Sequence, residues 1–142
     1  GIGLGLCTEA FVVATHREMA QVIAASGGRV DGWYYCPHHP RAVTDELRVA
    51  CNCRKPGPGM IERAAGEFPI DVSRSYVIGD KMADVDLGVG VGATSVLVRT
   101  GHGEGELARH DGRVPGAAFV AATLVDATSW ILQRVGGKVE ER

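Results

Sequence analysis

The sequence predicts an α/β fold built on a parallel sheet. Two uninterrupted apolar runs, Ser75-Tyr76-Val77-Ile78 and Ser95-Val96-Leu97-Val98, flank a helical stretch from Lys81 to about Gly88. Continuous apolar strands joined by a helical crossover belong to parallel strands buried on both faces. The chain has 142 residues, 45% hydrophobic and 23% charged, which suits one soluble domain and excludes disorder, collagen and coiled coil. Fifteen Lys and Arg against 17 Asp and Glu leave a net charge of −2, which argues against an electrostatic grip on nucleic acid or anionic lipid. No apolar run approaches the roughly 20 residues that span a bilayer, and the start GIGLGLCTEA has no basic leader. A cytoplasmic protein is expected.

The elements follow in order. Gly1-Ile2-Gly3-Leu4-Gly5 reads as the interior of a loop, so the chain is expected to be a fragment. Thr8 can cap a helix with Glu9 in its first turn, and Phe11, Thr15, Met19, Val22 and Ile23 recur at the spacing of one buried face. Gly27-Gly28 ends that helix. Val30 to Tyr35 is rich in strand-favouring aromatic residues and leads into Cys36. From Pro37 to Pro58, four prolines and mixed charges predict an extended loop of about twenty residues, a length uncommon unless functional. Pro58 stands at a favoured helix start, and Met60, Ile61, Ala64, Ala65 and Phe68 form the apolar stripe of a short helix. After the two central runs, Gly101, Gly103 and Gly105 mark a loop, Ala118 to Ala121 a further short strand, and Leu124, Ala127, Ile131 and Val135 a closing helix, with the tail 136–142 expected to fray.

Three constellations carry chemistry. Cys36-x-His38 and Cys51-x-Cys53 lie within 18 residues. Three thiolates and an imidazole suit tetrahedral zinc, and four protein ligands leave no open position, so the zinc is read as structural. The bland alternative is a loop lined by reduced cysteines, and His39 is the alternative to His38. Cys7 reads as a small packed hydrophobe. Second, Asp80 follows a buried strand, at the sheet edge where ligands of parallel sheets bind, and a carboxylate there can hold magnesium against a phosphate. The bland alternative is a helix N-cap. Third, Arg54-Lys55 directly after the cysteines is either a phosphate-binding pair or a solvated face. Gly88-Val89-Gly90-Val91-Gly92 lacks dinucleotide-fingerprint spacing and reads as a loose helix end. Asp84 and Asp86 diverge at helical spacing and do not form a nucleophile pair.

Taken together, Tyr34-Tyr35-Cys36-Pro37-His38-His39-Pro40, Cys51-Asn52-Cys53-Arg54-Lys55-Pro56, Pro58-Gly59-Met60 and Gly79-Asp80-Lys81-Met82-x-Asp84 resemble the D-glycero-D-manno-heptose 1,7-bisphosphate 7-phosphatases of the haloacid dehalogenase superfamily, with histidinol-phosphate phosphatases as near relatives. The likeness runs from Gly1 to about Gly103. It implies a three-layer Rossmann-like fold with an inserted zinc loop (36–55), all of 1–142 forming one partial domain that lacks its amino-terminal strands. It implies zinc on Cys36, His38, Cys51 and Cys53, magnesium on Asp80, and Lys55 as the catalytic cation that steadies the transferring phosphoryl group. Arg54 and Lys81, with Lys55, would bind a small phosphorylated sugar. The family's Asp-x-Asp-Gly-Thr and Thr-Asn-Gln-Ser motifs are absent, and Leu4 stands where the family often has Arg. The nucleophile is therefore expected outside this chain, and the chain alone is expected to be inactive, with the parent a monomer that removes the 7-phosphate of the heptose bisphosphate. The alternatives are a histidinol-phosphate phosphatase and a zinc-stabilised binding module without catalysis.

Overall fold

The computed structural model describes residues 1–136. Of the tail 136–142 expected to fray, residues 137–142 lie outside the described residues, and Gly136 is instead the last residue of the closing helix. The chain divides into two compact units, Gly1–Glu67 and Phe68–Arg142.

In the first unit, Thr8 caps helix α1 (Glu9–Ala25): its Oγ1 accepts a hydrogen bond from the Phe11 N–H at 3.1 Å. The chain leaves α1 through Gly27, whose left-handed backbone (φ 79°) halts the helix. The helix stands as predicted, but its face is not buried: Phe11 is 62% exposed and Val22 64%, and no residue of α1 is buried. Apolar periodicity marks the face a helix would bury, but not what covers it. Val30–Tyr35 forms no strand, because strand propensity needs a paired neighbour to become a ladder. The segment is held instead by side chains. His16 of α1 stacks on Trp33 (ring centroids 4.7 Å apart), and the Tyr35 hydroxyl donates to Glu9 Oε1 at 2.5 Å. The loop from Pro37 to Pro58 carries only a single 3-10 turn, Asp45–Leu47, before helix α2 (Gly59–Glu67) begins just after Pro58. On α2, Glu67 accepts from the Tyr34 hydroxyl at 2.6 Å and from Arg63 Nε at 2.8 Å, tying the helix to the chain entering the loop.

The second unit is a parallel three-stranded sheet in the order β1-β2-β3: β1 (Tyr76–Gly79), β2 (Thr94–Val98) and β3 (Ala117–Ala121). Helices α3 (Met82–Val91), α4 (Gly103–Arg109) and α5 (Leu124–Gly136) alternate with the strands. Alternation along β2 makes it a sandwich. Val96 and Val98 pack with Ala121 and Ala127 on the side of α5, joined by Ile78, Phe119 and Trp130. Leu97, fully buried, points the other way to Val85 and Val114, with Met82 and Leu107 alongside. Three layers result, as predicted.

Two boundaries differ from expectation. Helix α3 continues to Val91 and stops at the left-handed Gly92 (φ 78°), so the glycine-rich stretch is mostly helix and not a loose end. The glycines at 101, 103 and 105 were expected to mark a loop, yet α4 starts at Gly103. The Arg99–Glu104 ion pair (2.8 Å) and the Leu107 contact with the core favour the helix over the entropic preference of its two glycines for coil.

Candidate metal centre and phosphate-binding residues

The first unit brings Cys36, His38, Cys51 and Cys53 together, with all four donor atoms within 4.8 Å of one another. The Sγ atoms of Cys36 and Cys51 are 3.7 Å apart, Cys36 and Cys53 3.1 Å, and Cys51 and Cys53 3.4 Å. His38 offers Nδ1, 3.4 Å from the Cys53 sulfur and 3.7 Å from that of Cys36. A zinc tetrahedron with about 2.3 Å to sulfur and 2.0–2.1 Å to nitrogen has edges of roughly 3.5–3.8 Å. The donor set is that of a structural zinc site, and five of its six separations, 3.1–3.7 Å, lie at or somewhat under those edges. His39, the alternative ligand, turns away: its Nδ1 accepts from the Arg41 N–H at 3.0 Å, and its own N–H donates to the Leu47 carbonyl at 3.0 Å.

The electrostatics of the cluster also call for a cation. For Cys53, burial, then hydrogen bonds to the Cys36 and Cys51 sulfurs and their charge, push the thiol up to about 12. Burial works against ionising Cys51 as well, but hydrogen bonds from Cys53, the Arg54 backbone, Cys36 and His38 outweigh it and bring that thiol down to about 7. Three sulfurs this close cannot all carry charge without a positive ion among them.

Local sequence explains the positioning. Asn52, between two ligands, accepts the Gly59 N–H on its carbonyl at 2.9 Å and donates from Nδ2 to Glu62 at 3.1 Å, anchoring the second cysteine pair to the start of α2. The sequence reading missed this role, for which the position of Asn52 between two cysteines was the available signal. Arg54 is exposed, and its Nη1 donates to the His38 carbonyl at 3.3 Å, so the guanidinium braces the loop that holds the metal ligands. Lys55 is exposed and follows Cys53 by two residues. Cys7 is half-buried and unbridged.

In the second unit, Asp80 lies immediately after β1, at the carboxyl end of the sheet. It is not the helix cap. Lys81 occupies the N-cap of α3, and its backbone N–H donates to Oδ2 of the buried Asp84 at 3.2 Å, an arrangement that gives Asp84 a structural task on the helix. The Lys81 side chain is exposed. Asp80 Oδ2 instead accepts the His102 N–H at 2.8 Å, from the loop after β2, which the sequence reading passed over as a glycine-rich turn. Magnesium takes oxygen ligands and is held by one or two carboxylates together with substrate phosphate and water. A half-buried carboxylate with one oxygen fixed by a backbone N–H fits one place in such a shell.

This fold and these residues define a class: residues 52–127 match the HAD-hydrolase-like family, and the chain belongs to it. Among the proteins it resembles is the D-glycero-β-D-manno-heptose-1,7-bisphosphate 7-phosphatase of Neisseria meningitidis serogroup A, 35% identical over 133 residues that cover 94% of this chain and 67% of that protein. The Escherichia coli K12 protein of the same name is 43% identical over 102 residues, 71% of this chain and 53% of its own. The Rhodopseudomonas palustris one is 45% identical over 86 residues, 61% and 48% respectively. The chain thus spans about half to two thirds of the length of these relatives. Among solved structures, D,D-heptose 1,7-bisphosphate phosphatase from B. bronchiseptica, complexed with magnesium and phosphate, superposes with a TM-score of 0.79 at 33% identity, over 94% of this chain and 70% of that one.

Proposed function

We propose that this chain is part of a magnesium-dependent phosphatase that removes the 7-phosphate of D-glycero-D-manno-heptose 1,7-bisphosphate. The observation that carries the reading is the 33% identity over 94% of the chain to a heptose bisphosphatase that holds magnesium and phosphate. Residues 1–142 are read as one partial domain with its zinc loop at 36–55, from a monomeric cytoplasmic enzyme, a compartment in keeping with a site made of reduced thiols. Among the described residues, no helix is long and apolar enough to cross a membrane.

Phosphoryl transfer is chiefly charge neutralisation and positioning. Zinc on Cys36, His38, Cys51 and Cys53 fixes the loop and, through Cys53, the backbone that carries Arg54 and Lys55. The Lys55 ammonium stabilises negative charge growing on the transferring group, while Arg54 and Lys81 bind the sugar phosphate. Asp80 holds magnesium, which supplies further neutralisation of the phosphate oxygens. The Asp-x-Asp-Gly-Thr motif is absent from the chain, so the attacking carboxylate and the acid that protonates the leaving oxygen are assigned to the rest of the polypeptide.

The test is phosphorus NMR of the full-length polypeptide acting on the bisphosphate with magnesium. Loss of the 7-phosphate resonance ahead of the 1-phosphate is expected. Faster turnover of histidinol phosphate, or none of either compound, overturns the proposal.

A further inference from the structure

We propose that Gly101 is a positioning residue for the magnesium ligand: its left-handed backbone brings the His102 N–H onto Asp80 Oδ2 and so presents the other carboxylate oxygen to the cation. The inference rests on the reading of Asp80 as the magnesium carboxylate. Three observations meet here. Gly101 has φ 65°, a conformation that side-chain-bearing residues rarely adopt. The next N–H, that of His102, lies 2.8 Å from Asp80 Oδ2, and Oδ1 has no hydrogen bond among the described residues. A Cβ built on Gly101 would overlap Oδ2 itself and stand 3.2 Å from Asp80 Cγ and 3.4 Å from its Cβ. The loop after β2 therefore approaches the carboxylate as closely as a residue without a side chain allows.

The nature of the clash decides what a substitution does. The atom in the way is the far end of a short, rotatable side chain and not backbone. An added methyl is accommodated most cheaply by turning the carboxylate, which breaks the His102 hydrogen bond and leaves the strand in place. A metal ligand held by a partner outside the coordination shell binds through that partner's geometry, and loss of such partners typically weakens metal affinity about 10- to 100-fold.

Gly92 supplies the control. It too is left-handed, with φ 78°, but nothing lies within 4 Å of a Cβ built there. Gly92→Ala thus carries the same backbone penalty in the same unit without touching Asp80.

The experiment is calorimetric titration of the full-length polypeptide with magnesium, alongside thermal melts, for the wild type, Gly101→Ala, Gly92→Ala, His102→Pro and Asp80→Asn. His102→Pro removes the donated N–H at a residue whose φ of −87° lies near the range of proline. It tests the same hydrogen bond should Gly101→Ala fail to fold. Gly101→Ala and His102→Pro are expected to raise the magnesium Kd at least about tenfold, while Gly92→Ala melts like Gly101→Ala and binds magnesium like the wild type. Wild-type affinity in folded Gly101→Ala or His102→Pro, or an equal loss in Gly92→Ala, overturns the positioning role. Unchanged affinity in Asp80→Asn instead overturns the reading of Asp80 on which it rests.

Discussion

Serine in place of Cys51 puts the metal centre to its most direct test. Structural zinc ligation is worth about 10–16 kcal/mol at neutral pH. Shared evenly by four donors, that is about 2.5–4 kcal/mol for each, so one lost thiolate lowers zinc affinity by roughly two to three orders of magnitude. The first unit has little else to hold the loop in place. Ala42 is its one fully buried hydrophobic residue, and Phe11 and Val22 on its long helix are mostly exposed. Cys51→Ser and His38→Ala are both expected to fall by that factor in competition with a chromophoric chelator, and amide protection from Cys36 to Cys53 is expected to fall with zinc occupancy. His39→Ala is expected to retain zinc, because the His39 ring is engaged by the Arg41 N–H. Full zinc retention in Cys51→Ser, or its loss in His39→Ala, would refute the assignment of the four donors.

The remaining predictions concern catalysis, pH and the core. In the full-length polypeptide, Lys55→Ala is expected to lower kcat by at least ~100-fold with zinc still bound, and a change confined to KM would reduce Lys55 to a docking residue. The 142-residue chain alone is expected to release no phosphate from the bisphosphate above a magnesium-only control; turnover that vanishes in Asp80→Asn would show that a carboxylate within the chain attacks. Hydrogen bonds from Tyr34 and Arg63 hold the Glu67 carboxyl below its ordinary value of 4.5. A carboxyl lowered in the folded state contributes stability above its unfolded value and loses it as pH falls through the folded one. Glu67→Gln is therefore expected to lower stability at neutral pH and to flatten its decline below about pH 4.5, as read from melting temperature across an acid series. Leu97→Ala, at a fully buried position between β2 and α3, is expected to cost about 3–5 kcal/mol in chemical denaturation; a cost below 1 kcal/mol would show that the two faces of the sheet are not packed as described.

What the sequence revealed tracks the range of the interaction involved. The zinc donors are legible because Cys36, His38, Cys51 and Cys53 lie in one loop, and ligand type with spacing nearly suffices. His38 was chosen over its neighbour His39 from the sequence, and the coordinates agree: the His38 ring meets the Cys53 sulfur, while that of His39 accepts from the Arg41 N–H. Strands β1 and β2 are legible because each carries an uninterrupted apolar run, Tyr76-Val77-Ile78 and Val96-Leu97-Val98, the pattern of strands packed on both faces. By contrast, α4 was hidden by glycines whose entropic cost is offset by an ion pair and a core contact, neither visible in local propensity. The exposure of α1 was hidden for the opposite reason: periodicity is a property of the helix, and burial a property of its surroundings. The fixing of Asp80 by a backbone N–H 22 residues further on is a contact between two loops, which no motif encodes.

The two units are ordered by different forces, and this divides the proposed machinery. The second unit is organised by apolar burial: Val85, Leu97 and Val114 on one face of the sheet and Val96, Val98 and Ala121 on the other are all buried. Asp80 stands at the end of that framework, oriented by a hydrogen bond that owes nothing to the cysteines. The first unit has thiols and an imidazole where a core would be. Arg54 and Lys55 follow Cys53 directly, Arg54 reaches back to the carbonyl of the ligand His38, and Asn52 ties the same turn to α2. With zinc on the four donors, the position of the Lys55 backbone would be inherited from a coordination shell two residues away. On the proposed reading, a structural metal in this place would serve catalysis at one remove, since a cation that must meet growing negative charge is useful only where it is already held. That is why a loop of about twenty residues, too long and too rich in proline to order itself, carries four metal donors in place of a strand or helix.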